Sequence, residues 1–92
     1  VISNFKHGGL KKLYEKGDSS KVNPKQLEKI EMILADLAAA SKVDDMRLPG
    51  YRLHQLRGNL KGFYAIYVSG NWRIIFKFKD GQATDVDLVD YH

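Results

Sequence analysis

Five residues of this 92-residue chain have types suited to moving a proton or holding an anion: His54, Arg73 and the terminal run Asp90-Tyr91-His92. Imidazole can accept or donate a proton near neutral pH. The fixed guanidinium fork of Arg73 suits a phosphate and can oppose charge that develops on it. Cleaving a ribonucleotide linkage without a metal ion takes three coordinated acts. A base removes the 2′-OH proton, a cation stabilises the phosphorane, and an acid protonates the departing 5′ oxygen. Histidine, arginine and tyrosine can divide those acts, and the product would be a 2′,3′-cyclic phosphate obtainable only from RNA. The blander readings are a half-exposed histidine on a sheet, a solubilising surface arginine and a loose polar tail.

The charge distribution favours a polyanionic partner. Residues 1–46 carry eight lysines and seven acids, residues 47–79 carry seven cations and no acid, and residues 80–92 carry four acids and no Lys or Arg. The middle block contains Arg47, Arg52, Arg57, Lys61, Arg73, Lys77 and Lys79, and an acid-free stretch of this length implies a local positive field suited to RNA or DNA. Arg52, Arg57, Lys61, Lys77 and Lys79 are the candidate RNA contacts. Tyr51, Phe63, Tyr64, Tyr67 and Trp72 interleave with them. Most are expected to be packing groups, with one or two left for base contact and Trp72 buried.

The elements that must position these residues divide the chain in two. After a short apolar start at Val1 to Phe5, Leu10, Leu13 and Tyr14 recur at helical spacing and Gly17 can end the turn. His7 is placed to cap or decorate this helix. Asn23, Pro24 and Gln26 form a start signal for a second helix, whose stripe is Leu27, Ile30, Ile33, Leu34 and Leu37. Beyond Pro49-Gly50 the period changes to two. Strands are expected at 51–57, 63–69, 72–79 and 83–89, antiparallel because the connections are short. In the third, Trp72, Ile74, Phe76 and Phe78 should face the helices, and Arg73, Ile75, Lys77 and Lys79 the other side. The fold class is therefore α+β, with two N-terminal helices packed on a predominantly antiparallel sheet in a single domain over residues 1–92.

Other chemistries are poorly supported. With no cysteine and three scattered histidines, neither thiol chemistry nor a metal centre is expected, and no cofactor is called for. Gly58-Asn59-Leu60-Lys61-Gly62 lacks the spacing of a nucleotide loop and reads as a basic connection between strands. No apolar run is long enough for a membrane span, so a soluble cytoplasmic protein is expected. A DNA-binding repressor is disfavoured because no helix-turn-helix is evident.

Phe5-Lys6-His7 with Gly9-Leu10-Lys11-Lys12-Leu13, Leu53-His54-Gln55-Leu56-Arg57-Gly58, Asn71-Trp72-Arg73-Ile74 with Phe76, and the ending Asp90-Tyr91-His92 together resemble the HigB-type toxins of the RelE superfamily. The resemblance covers essentially the whole chain. It implies a compact RelE-like, microbial-RNase-like fold and ribosome-dependent cleavage of mRNA in the A site, with His54, Arg73, Asp90, Tyr91 and His92 as the catalytic set and Asn71 near substrate. It also implies a HigA-type antitoxin with a helix-turn-helix domain. Arg57 stands where relatives carry lysine, and Ser69 where a relative carries a further cation. A non-catalytic RNA- or ribosome-binding module is the rival reading, since it would use the same basic strands.

The helical stripe yields a first test. Leu34→Asp would bury an unpaired carboxylate and remove packing at once, so loss of the cooperative unfolding transition is expected in urea titrations.

Overall fold

The computed structural model describes residues 1–91. Helix α1 (Gly8–Lys16) starts at His7, whose Nδ1 accepts a hydrogen bond from the Leu10 amide at 3.1 Å. It ends at Gly17, which takes a left-handed φ of 69° and donates its amide to the Leu13 carbonyl. His7 is thus a cap, as its place before the helix suggests. At Gly9 a β-carbon would stand 2.8 Å from Lys21 Cβ and 2.9 Å from the His7 ring, so the packing there has no room for a side chain.

Helix α2 (Leu27–Ala39) begins later than the Asn-Pro signal implies. Asn23 Oδ1 accepts from the Lys25 amide and the Asn23 carbonyl accepts from the Gln26 amide, forming a turn instead of a first helical turn. The asparagine side chain offers the backbone a local alternative to the helix. Ile30, Ile33, Leu34 and Leu37 are buried, as the stripe requires. Gln26, itself buried, donates from Nε2 to Ser69 Oγ at 2.9 Å and fastens the start of α2 to the sheet.

Four strands follow, β1 (His54–Gln55), β2 (Tyr64–Ser69), β3 (Trp72–Lys79) and β4 (Gln82–Asp90), paired antiparallel in chain order. Asp80 and Gly81 both take positive φ, at 54° and 77°, so the β3–β4 connection has the two left-handed residues of a type I′ hairpin. The N-terminal segment lies along β4 through parallel bridges at Ile2–Ala83 and Phe5–Val86. Strand β1 is far shorter than the expected 51–57, because Arg52 at φ 51° and Gly58 at φ 67° turn the chain away at either end.

The main core lies between the helices and one sheet face, where Ile66, Ile74, Phe76, Ala83 and Val86 meet Leu10, Ile30, Ile33 and Leu37. Two expectations need correction. Trp72 is 38% exposed, because it is the first residue of β3, at the sheet's end, while Ile74 and Phe76 fill its middle. Ile75, expected among solvent-facing cations, is 3% exposed. With Leu56, Phe63 and Ala65 it forms a second apolar cluster on the far face, flanked by Leu60 and Val89. No helix among the described residues is long and apolar enough to cross a membrane.

Tyr51 joins the two layers. Its Oη donates to Asp36 Oδ2 at 2.6 Å, and its carbonyl accepts from the Tyr67 amide at 2.8 Å. Burial, reinforced by the bond to Asp36 and that carboxylate's charge, pushes the phenol pKa well above its ordinary value. The folded state therefore holds this proton more tightly than the unfolded chain does. The associated stability is complete below the unfolded phenol pKa, near 10, and is lost as pH rises beyond it. Denaturant midpoints measured between about pH 9 and 11 are expected to fall less steeply for Tyr51→Phe than for the unaltered protein.

Candidate active site

The far face of the sheet takes its chemistry from β3. With Ile74 and Phe76 in the core, period two sends Arg73, Ile75 and Lys77 to the other side. Cross-strand pairing then sets their neighbours. Arg73 lies between Tyr67 of β2 and Val89 of β4, and Ile75 between Ala65 and Asp87. His54 is the partner of Ala65 and so extends the second of these rows on β1. Two strand spacings of about 4.8 Å and two residues of about 3.4 Å rise separate the Cα atoms of His54 and Arg73 by roughly 12 Å. Both side chains lie on this one face of the sheet.

His54 is exposed, and its Nδ1 lies 2.9 Å from the Arg52 carbonyl. A carbonyl only accepts, so Nδ1 carries the proton in this bond and the neutral ring keeps its lone pair on Nε2. Arg73 donates from Nη1 to the carbonyls of Gly70 at 2.9 Å and Trp72 at 3.0 Å, and its guanidinium carbon lies 4.8 Å from the centre of the Tyr67 ring. Arg52 approaches the same ring at 4.5 Å.

The chain end reaches the same end of the sheet. Tyr91 donates its amide to the Asn71 carbonyl at 2.8 Å, and Val89, two residues earlier, is the cross-strand partner of Arg73. Tyr91 is 37% exposed. Asp90 pairs with Trp72 in the register, so alternation puts it on the opposite side of β4 from Val89. His92 lies outside the described residues.

Beside His54, an open cleft of about 650 Å³ is lined by Gln55, Leu56, Arg57, Gly58, Lys61 and Gly62. The connecting segment is held by the second apolar cluster, through Leu56, Leu60 and Phe63, and the positive φ of Gly58 and Gly62 lets it turn. Lys77 reaches over the Phe63 ring at 5.0 Å, and Lys6 from before α1 does so at 5.7 Å. Lys79 stands apart. It pairs with Gln82 at the opposite end of β3, six residues and roughly 20 Å from Arg73.

The structure thus brings Arg52, Asn71, Arg73 and Tyr91 to one end of the sheet, and places His54, level with Ile75 and two strands from it, with Arg57, Lys61 and Lys77 around the cleft. Reading the sequence missed the part played by Lys6 and by the two rings that carry cations. The available signal was the alternation of Tyr67, Arg73 and Lys77 at odd positions of adjacent strands, continued by Phe63 just before β2. Among the described residues no group of three His, Asp or Glu side chains is arranged to hold a metal ion.

A family model for the RelE-like toxin HigB of type II toxin-antitoxin systems matches residues 3–92. The chain is 38% identical over 92 residues to the endoribonuclease HigB of Proteus vulgaris, covering all of both chains. It is 36% identical over 86 residues to toxin HigB-1 of Vibrio cholerae, covering 91% of this chain and 90% of that one. Among solved structures, a YafQ mutant from E. coli is similar with a TM-score of 0.63 at 19% identity, covering 98% of this chain and 93% of that one. The YoeB dimer from Staphylococcus aureus gives 0.60 at 16% identity, covering 99% and 97%. These two likenesses bear on the fold, which is the RelE-like one.

The cleft wall gives the next test. Gly62 has a φ of 96°, where any side chain is strained whatever space surrounds it. Gly62→Ala is expected to lose about 1–3 kcal/mol of stability in urea unfolding, with amide shift changes centred on the 54–63 segment.

Proposed function

The chain belongs to the HigB family of RelE-like toxins of type II toxin-antitoxin systems, and from that membership we propose that it is an endoribonuclease that cuts mRNA in the ribosomal A site by metal-independent attack of a ribose 2′-OH. The observation that carries this reading is the placement of Arg73 between Tyr67 and Val89, on the face that also bears His54 and beside the chain end at Tyr91.

His54 Nε2 takes the 2′-OH proton, the 2′ oxygen bonds to phosphorus, and the bond from phosphorus to the 5′ oxygen breaks. The products are a 2′,3′-cyclic phosphate and a 5′-hydroxyl. Arg73 opposes the added charge on the phosphorane, which is where a preorganised cation contributes most. Tyr91 returns a proton to the leaving oxygen, Asp90 orients the terminal cluster, and His92 belongs to the same proton-transfer set. Arg52, Arg57, Lys61 and Lys77 hold the flanking phosphates, with Asn71 close to a base. Lys79 adds to the positive field from the far end of the sheet.

The 92 residues act as one toxin domain in the cytoplasm, where their ribosomal substrate is, and are restrained by a HigA-type antitoxin with a helix-turn-helix domain. No antitoxin is needed for the chemistry itself.

The decisive measurement uses mRNA-programmed ribosomes, with free mRNA in parallel. Codon-positioned cuts bearing a cyclic phosphate are expected on the ribosome, and their formation should survive a chelator added to the toxin. Arg73→Ala is expected to slow single-turnover cleavage by about 10²–10³-fold while much of the ribosome binding remains. Lys77→Ala should chiefly weaken ribosome binding and make it less steeply dependent on salt concentration, since it removes one cation from the interface. Intact mRNA on ribosomes saturated with toxin would instead identify a non-catalytic ribosome-binding module.

A further inference from the structure

We propose that Tyr67 is a positioning residue that sets Arg52 and Arg73 as the two prongs of one phosphate clamp, a reading that rests on the cleavage function above and extends it. The guanidinium carbons of Arg52 and Arg73 lie 4.5 Å and 4.8 Å from the centre of the Tyr67 ring, and Lys29 Nζ lies 5.7 Å from it. Three like charges around one ring repel one another. The negative face of an aromatic ring offsets part of that repulsion without neutralising the cations, as a carboxylate would. The cations therefore remain able to meet an anion.

Tyr67 also holds Arg73 by a second route. Its Oη accepts from the Gly70 amide at 3.2 Å, while the Gly70 carbonyl accepts from Arg73 Nη1 at 2.9 Å. Ring and turn thus fix the same guanidinium from two sides. The other prong is fixed by the backbone. Arg52 takes a left-handed φ of 51°, a conformation that costs free energy for any residue with a β-carbon. Its carbonyl meanwhile accepts from His54 Nδ1. One residue therefore carries a prong of the clamp and orients the proposed base.

The test compares Tyr67→Leu, which removes the ring, with Tyr67→Phe, which keeps the ring and loses only the hydroxyl. On programmed ribosomes Tyr67→Leu is expected to lower the saturating single-turnover rate about tenfold or more, as two cation–ring contacts are lost, and Tyr67→Phe to recover most of that rate. In the unaltered protein, the side-chain NεH resonances of Arg52 and Arg73 are expected to show ring-current shifts that Arg47 and Arg57 lack. That measurement needs no variant to fold. In Tyr67→Leu those shifts are expected to vanish while the thermal midpoint stays close to that of Tyr67→Phe.

Rates and arginine resonances unaltered in Tyr67→Leu would overturn the proposal, as would unshifted Arg52 and Arg73 resonances in the unaltered protein. A Tyr67→Phe variant as slow as Tyr67→Leu would refute ring positioning too, by assigning the effect to the hydroxyl. Failure of the underlying function looks different: the unaltered protein then makes no cyclic phosphate, whatever the arginine spectra show.

Discussion

The register of β3 between β2 and β4 is the constraint on which the cationic face depends. Ile74 and Phe76 are fully buried under the helices, and each contributes about 1.5–3 kcal/mol by leaving water. A slip of one residue would drive Arg73 and Lys77 into that core and expose both apolar side chains. Burying unpaired cations is costlier still. The position of Arg73 opposite Tyr67 and Val89 is therefore enforced by packing on the reverse side of the strand. The turn at Asp80-Gly81 and the bulge near Asp85 adjust the rest. Asp85, at φ 52°, lets β4 turn Val86 into the core while its amide is taken up by Asn4 Oδ1.

A face built this way must hold like charges close together. Two rings share that task, Tyr67 for Arg52 and Arg73, and Phe63 for Lys77 and Lys6. Backbone carbonyls at Gly70 and Trp72 take up donors of Arg73. By contrast, the ion pair of Arg47 with Asp44 joins two exposed side chains near the start of the acid-free segment, in a separate cleft that they share with His54. Rings and carbonyls are uncharged. They order the cations while leaving the net positive field intact, so a polyanion gains its full electrostatic attraction on arrival.

The sequence made the division of labour legible because it is written in periods. The stripe of α2 and the alternation of β3 predicted which residues enter the core, and Leu34, Ile74 and Phe76 are there. His7 as a cap and Gly58 and Gly62 as shapers of a basic loop were also readable, since they rest on local geometry. Features that depend on distant partners were not. Arg52 has a positive φ that no propensity signals, and it cuts β1 to two residues. Trp72 looked like core because a ring of that size usually is, whereas its place at the strand's first residue decides otherwise. Ser69, where resemblance pointed to a missing cation, instead accepts from Gln26 and joins α2 to the sheet.

Ile75 shows how structural and functional demands meet in one segment. Taken alone, the far face of β3 is basic and would hold a flexible loop poorly. Ile75 and Ala65 give that face an apolar centre, onto which Leu56, Leu60 and Phe63 fold. Those three residues alternate in the chain with Arg57 and Lys61, which line the cleft. Burial of the apolar members thus immobilises the charged ones, and the entropy of ordering the loop is offset during folding, before any ligand binds. Cations ordered in advance lose less freedom on meeting a phosphate than cations on a mobile loop would. The buried isoleucine within a run of cations is therefore what makes the wall of the cleft a preorganised surface.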